Sequence, residues 1–179
     1  QKTKLEPLTI NVSETWQSDF TTVNLSYKTS KGDELNTVDT MQEEAKGFVD
    51  GIFRACFETL VPYAPSLSNI KLYDYQVKPK LKTNKNSSGA DAKVRVNVMM
   101  EVKDYGLAEF SSDSRSVLYS SFAAILEAFQ FYINCERTFH KIQLVLEDAR
   151  ERNRGDIVQS CVSDLSKLTE VNTYEKKQN

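Results

Sequence analysis

The chain has 179 residues, 40% of them hydrophobic, enough for one domain with its own core or for a domain carrying a helical appendage. Acids and bases nearly cancel, 25 against 23, and the net charge of -2 excludes the basic excess of a nucleic-acid binder or of a protein held on an anionic membrane. No apolar run approaches a membrane span and no signal peptide opens the sequence; it begins at Gln1 rather than Met and reads as a piece of a longer protein.

Residues 1–20 are mixed and weakly patterned, and read as an N-terminal linker. From Thr21 the pattern sharpens: Val23, Leu25 and Tyr27 alternate with polar Asn24, Ser26 and Lys28, the signature of a half-buried strand. Lys31-Gly32-Asp33 is a turn signal, and Leu35 to Thr40 supply the returning strand. Over 43–61 the period changes. Ala45, Phe48, Val49, Ile52, Phe53, Cys56 and Leu60 share one helical stripe, Glu43 and Glu44 suit its first turn, and Pro62 and Pro65 stop it.

The order then repeats. Ile70 to Lys80 reads as a strand with Tyr73, Tyr75 and Val77 on one face, followed by a polar loop over 82–90. From Ala92 through Val94, Val96, Val98 and Met100 to Val102 the alternation is the clearest strand signal in the chain. Tyr105-Gly106 turns it, 107–112 fits a short third strand, and a helix starts near Asp113–Ser116, where Asp or Ser caps it. The predicted fold is α+β, with antiparallel strands covered by helices.

From Leu107 to Arg154 there is neither Gly nor Pro. Leu118, Ile125, Tyr132, Phe139 and Leu146 recur at heptad spacing, with Ala128, Cys135, Ile142 and Ala149 at the second position, and Phe122 and Phe129 widen the stripe. One long helix, or two broken near Asn134, fits this pattern. A helix of that extent reaches roughly 48 Å, longer than a sheet of ordinary strands covers. Leu118, Ile125, Phe129, Tyr132, Phe139 and Leu146 are therefore expected to form, in part, a seam between two subunits of a homodimer. After Gly155-Asp156, a further amphipathic helix runs through Ile157, Val158, Cys161, Val162, Leu165 and Leu168, and residues 135–179 read as a helical C-terminal extension.

Cys56, Cys135 and Cys161 are odd in number and sit inside helical patterns, as expected of reduced thiols in a cytoplasmic protein. The sequons at Asn11, Asn24 and Asn86 are read as chance. His140 is the sole histidine and reads as structural. No metal-ligand spacing, phosphate loop or nucleophile elbow occurs, so no catalytic residue, metal or cofactor is assigned and a self-contained enzyme is not expected.

Four stretches resemble the C-terminal regulatory domain of the α-isopropylmalate synthase and citramalate synthase family. Gly47-Phe48-Val49-Asp50, with Phe53 and Ala55, is similar to that domain's Gly-Pro-Val-Asp-Ala helix start, with Phe48 and Gly51 replacing its proline and alanine. Leu72-Tyr73-Asp74-Tyr75-Gln76-Val77 resembles its next strand, Gly89-Ala90-Asp91-Ala92 its Gly-x-Asp-Ala signature, and Ser116 to Ser121 with Ala124 its last helix. The match covers roughly 20–134, giving a regulatory domain over 21–134. The resemblance implies two βββα units, no chemistry in this segment, dimerisation, and feedback binding of leucine or isoleucine on behalf of a catalytic barrel in the same chain that condenses acetyl-CoA with a 2-oxo acid. On that resemblance, an apolar pocket walled by Val49, Ile52, Phe53 and Cys56 and closed by Tyr75 is expected, with backbone N–H groups near Gly47 meeting the carboxylate and Asp50 or Asp91 the ammonium. A ligand-free homodimeric assembly domain of the same fold is the alternative.

Overall fold

The computed structural model describes residues 2–80 and 92–174. Three strands, β1 (Thr3–Thr15), β2 (Phe20–Lys31) and β3 (Glu34–Ala45), form an antiparallel meander, sheet A, followed by α1 (Phe48–Leu60) and two short 3-10 turns. A second meander, sheet B, contains β4 (Ile70–Pro79), β5 (Val94–Val102) and β6 (Gly106–Ser114), and leads into α2 (Val117–Glu151) and α3 (Gly155–Thr169). The α+β fold is thus two βββα units with a C-terminal helical extension. The loop predicted over 82–90, and Asp91 after it, lie outside the described residues.

The alternation read in the sequence selects the buried faces. Val23, Leu25 and Tyr27 of β2 and Val96, Val98, Met100 and Val102 of β5 point inward and share one core with Ile52 and Cys56 of α1 and Phe122, Ile125 and Phe129 of α2. Gly32, at φ 64, makes the tight turn that pairs Lys31 with Glu34.

Four expectations are corrected. Residues 3–15 are no linker but an edge strand of sheet A, hidden from pattern reading because the register shifts between Pro7 and Thr9 and breaks the alternation. The first helix starts at Phe48, not Glu43: Glu43, Glu44 and Ala45 end β3, and the chain reverses through Gly47 at φ 100. On β4 the register shifts between Leu72 and Asp74, so Tyr73 turns out to solvent while Tyr75 packs inward, and Val77 stays largely exposed near the strand end. Finally, α2 is one uninterrupted helix of 35 residues passing straight through Asn134, so no domain boundary falls between 134 and 135.

Ser116 caps α2 by accepting the Tyr119 N–H at 3.1 Å. The helix lies on β5 and β6, touches the outer edge of β1, and receives α3 folding back on it. Those three packing partners account for its length. They also use the face expected to join two subunits. Ile125, Phe129 and Tyr132 are in the core, Phe139 stacks on Tyr174 at 4.6 Å, Leu146 is buried, and only Leu118 is half-buried. The heptad face is therefore filled by the chain's own packing and presents no seam to a second copy. Among the described residues, no helix is long and apolar enough to cross a membrane.

Candidate functional site

Of the described residues predicted to hold an effector, Val49, Asp50, Ile52, Phe53 and Cys56 lie along α1, Gly47 just before it and Tyr75 on β4, and they do not surround one cavity. Ile52 and Cys56 are fully buried in the core, and burial pushes the Cys56 thiol well above its ordinary range. Phe53 stacks on Phe57 at 5.8 Å and meets Phe129 at 5.4 Å. Asp50 closes the start of its own helix, accepting the Lys46 N–H at 2.9 Å, with Arg54 3.8 Å away. Val49 is half-buried.

Tyr75 is held by two contacts, an edge-to-face ring contact with Phe48 at 6.1 Å and a hydroxyl pair with Ser121 at 2.9 Å. The Ser121 hydroxyl donates its one hydrogen to the Val117 carbonyl at 2.6 Å, so Tyr75 is the donor to Ser121. Gly47 borders a groove beside the β1–β2 turn, with Trp16 and Phe20, whereas Phe53 borders a different cleft with Phe57 and Ile70. Asp91 lies outside the described residues.

His140 is half-buried, with Nε2 3.6 Å from Glu136 and Nδ1 3.4 Å from Gln143. The other Glu136 oxygen accepts from the Ser66 backbone N–H at 3.1 Å and its hydroxyl at 2.5 Å, tying α2 to the 3-10 turn before β4. All three cysteines are free thiols; Cys56 and Cys161 are buried and Cys135 is partly so.

A third cleft, of about 430 Å³, opens where the start of β1 and the β2–β3 turn end of sheet A approach the last turn of α1 and the middle of α2. Its walls differ from those of the first two. Leu5, Leu60 and Ile133 give it an apolar surface, and Tyr27 and Thr59 a hydroxyl pair at 2.7 Å. The Thr59 hydroxyl donates into its own helix, 2.9 Å from the Ala55 carbonyl, so Tyr27 is the donor to Thr59. Burial pushes the Tyr27 hydroxyl up to about 12, and it stays neutral.

The same cleft is bordered by Thr3 and Arg137, and both carry a buried polar atom, Thr3 Oγ1 and Arg137 Nη1, that makes no hydrogen bond. The Thr3 backbone is clamped, its N–H donating to Asn134 Oδ1 at 2.7 Å and its carbonyl accepting from Asn134 Nδ2 at 2.8 Å. Gln130 accepts the Leu5 N–H at 2.8 Å. Ile133 and Arg137 are one helical turn apart, which puts both on the face turned toward the cleft. This site was missed in the sequence. The available signal was Arg137, a charged residue one turn after buried Ile133.

No protein-family model matches the chain, and a search of curated proteins finds no similar sequence.

Proposed function

We propose that this chain is a non-catalytic regulatory and dimerisation domain of the kind found in α-isopropylmalate and citramalate synthases, binding a branched-chain amino acid, leucine or isoleucine, as feedback inhibitor of a catalytic barrel elsewhere in its own chain, in the cytoplasm. One observation carries the reading. The fold is two βββα units, the architecture that the resemblance implies, and two of the four similar stretches fall on the helix starts, at Gly47–Asp50 and at Ser116. Isothermal titration of the chain with leucine, isoleucine and valine tests it. Saturable heat with at least one is expected; none with all three removes the sensor.

A second reading, a ligand-free assembly domain, is favoured by one specific feature. Ile52 and Cys56 are sealed in the core and Asp50 is engaged by Lys46 and Arg54, so these predicted pocket residues leave no room for a guest within the protomer. Either reading requires a second copy to meet a surface other than the inward heptad face. On α2 the outward apolar side chains are Tyr119, Phe131, Leu144 and Val145. Light scattering on the wild type and on Leu144→Glu/Val145→Glu distinguishes a dimer through this face from one formed elsewhere.

A further inference from the structure

We propose that the cleft between the turn end of sheet A and α2 binds a small aliphatic carboxylate, with Arg137 as its anchor. Two residues that border this one cleft, Arg137 and Thr3, each carry a buried polar atom without a hydrogen bond, Nη1 and Oγ1. Native interiors leave few such groups unmet, and two beside one cavity mark a place shaped for a partner. A guanidinium only donates, so what it lacks is an acceptor, and its planar fork matches a carboxylate. Thr3 Oγ1, on a strand fixed by Asn134, can both donate and accept.

Among the described residues, none supplies that acceptor. Glu34 lies at the cleft's exposed rim and forms no ion pair with Arg137. Lys31 joins Arg137 against the one acid, so the lining carries a single excess positive charge. Leu5, Leu60 and Ile133 line the apolar side, which suits a hydrocarbon tail and not a phosphate or a nucleotide. At about 430 Å³ the volume is that of a small-molecule site. None of the described effector residues expected from the resemblance borders this cleft, and Arg137 lies beyond the stretch that carries it. The inference therefore stands apart from the regulatory reading.

Isothermal titration of the full chain with isocaproate, leucine and inorganic phosphate tests it. Isocaproate is expected to bind saturably, and Arg137→Met to weaken it at least about tenfold by removing a charge-assisted pair. Urea unfolding checks the variant's fold. Its midpoint is expected not to fall, because a half-buried cation whose Nη1 makes no hydrogen bond is exchanged for an apolar chain of similar length. Arg54→Met, at the neighbouring cleft beside Phe53, is expected to bind like the wild type. Leucine heat that persists in Arg137→Met, while isocaproate binding is lost, supports the cleft and places any effector elsewhere. Leucine competing with isocaproate, and lost with it, also supports the cleft and makes leucine one of its carboxylates. Absence of any Arg137-dependent binding by either compound, or equal Arg137-dependent heat from phosphate, overturns the inference.

Discussion

The side chain of Asn134 takes both backbone hydrogen-bonding groups of Thr3, accepting its N–H at 2.7 Å and donating to its carbonyl at 2.8 Å. An edge strand exposes a row of such groups, and here a helix residue far along the chain imitates a neighbouring strand. Asn134→Ala leaves both groups half-buried and unmatched. It is expected to cost about 1–3 kcal/mol in urea unfolding, with amide exchange rising at Thr3 and Leu5 before the rest of sheet A. An unchanged midpoint shows that this clamp is not holding β1.

That clamp also explains what the sequence hides. Strands β2 and β5 were legible because their inward residues keep strict alternation, and the second helix because Ser116 caps a run with no glycine or proline. Strand β1 was not, since the shift at Pro7/Thr9 and the polar stretch from Ser13 to Thr15 erase the period, and its partner at the free edge is a pair of side chains, Gln130 and Asn134, that no local pattern announces. The heptad spacing was real, but periodicity states that a face is buried, not against what; here it is sheet B, β1 and α3 in turn. The cleft of Arg137 was illegible for the same reason. It joins residues from the start of β1, the turn end of β2 and β3, the end of α1 and the middle of α2, brought together only by the fold.

Gly51 stands where α1 packs on Val23 of β2 and Ala45 of β3. A Cβ there would lie 2.4 Å from Val23 Cγ2 and 3.1 Å from the Ala45 Cβ. Val23 is fully buried and has no free direction in which to yield. Gly51→Ala is expected to destabilise by about 1–3 kcal/mol through overpacking, despite alanine's better helix propensity. Val23→Ala in the same chain should return part of that loss, and a double-mutant cycle measures the coupling. Additive effects would place the strain elsewhere.

Alkaline pH should loosen the core through two tyrosines. Burial pushes both Tyr27 and Tyr132 up to about 12 from the ordinary value of 10. Because the folded values lie above the unfolded one, their contribution is complete below pH 10 and is lost as pH rises from 10 through about 12. Unfolding midpoints should fall across that window, in step with late-ionising tyrosinate absorbance. Tyr27→Phe should remove part of the late absorbance and, by losing the bond to Thr59, about 0.5–1.5 kcal/mol at neutral pH. Complete ionisation near pH 10 in the folded protein contradicts the burial argument.

A chain ended after Asn134 tests whether 135–179 is an appendage or part of the body. Such a chain lacks Glu136, whose carboxylate satisfies the Ser66 N–H and hydroxyl, and it puts the clamp on Thr3 in a fraying last turn. It also lacks Phe139 and Leu146, and with them the contact of α2 with α3. The truncated chain is expected to lose its cooperative thermal transition. A chain ended after Arg154 keeps Glu136 and Asn134, loses α3, the Tyr174 ring on Phe139 and the Asn172 bond to the Ser66 carbonyl, and should melt cooperatively at a lowered temperature. Within the full chain, Glu136→Ala isolates one of these contributions, at an expected cost of about 1–3 kcal/mol, because a buried N–H and hydroxyl lose their acceptor. Calorimetry on the three proteins decides. If the chain ended at 134 melts like the full one, then the helix beyond Asn134 is an addition the core does not need, and the continuity of α2 has no energetic meaning.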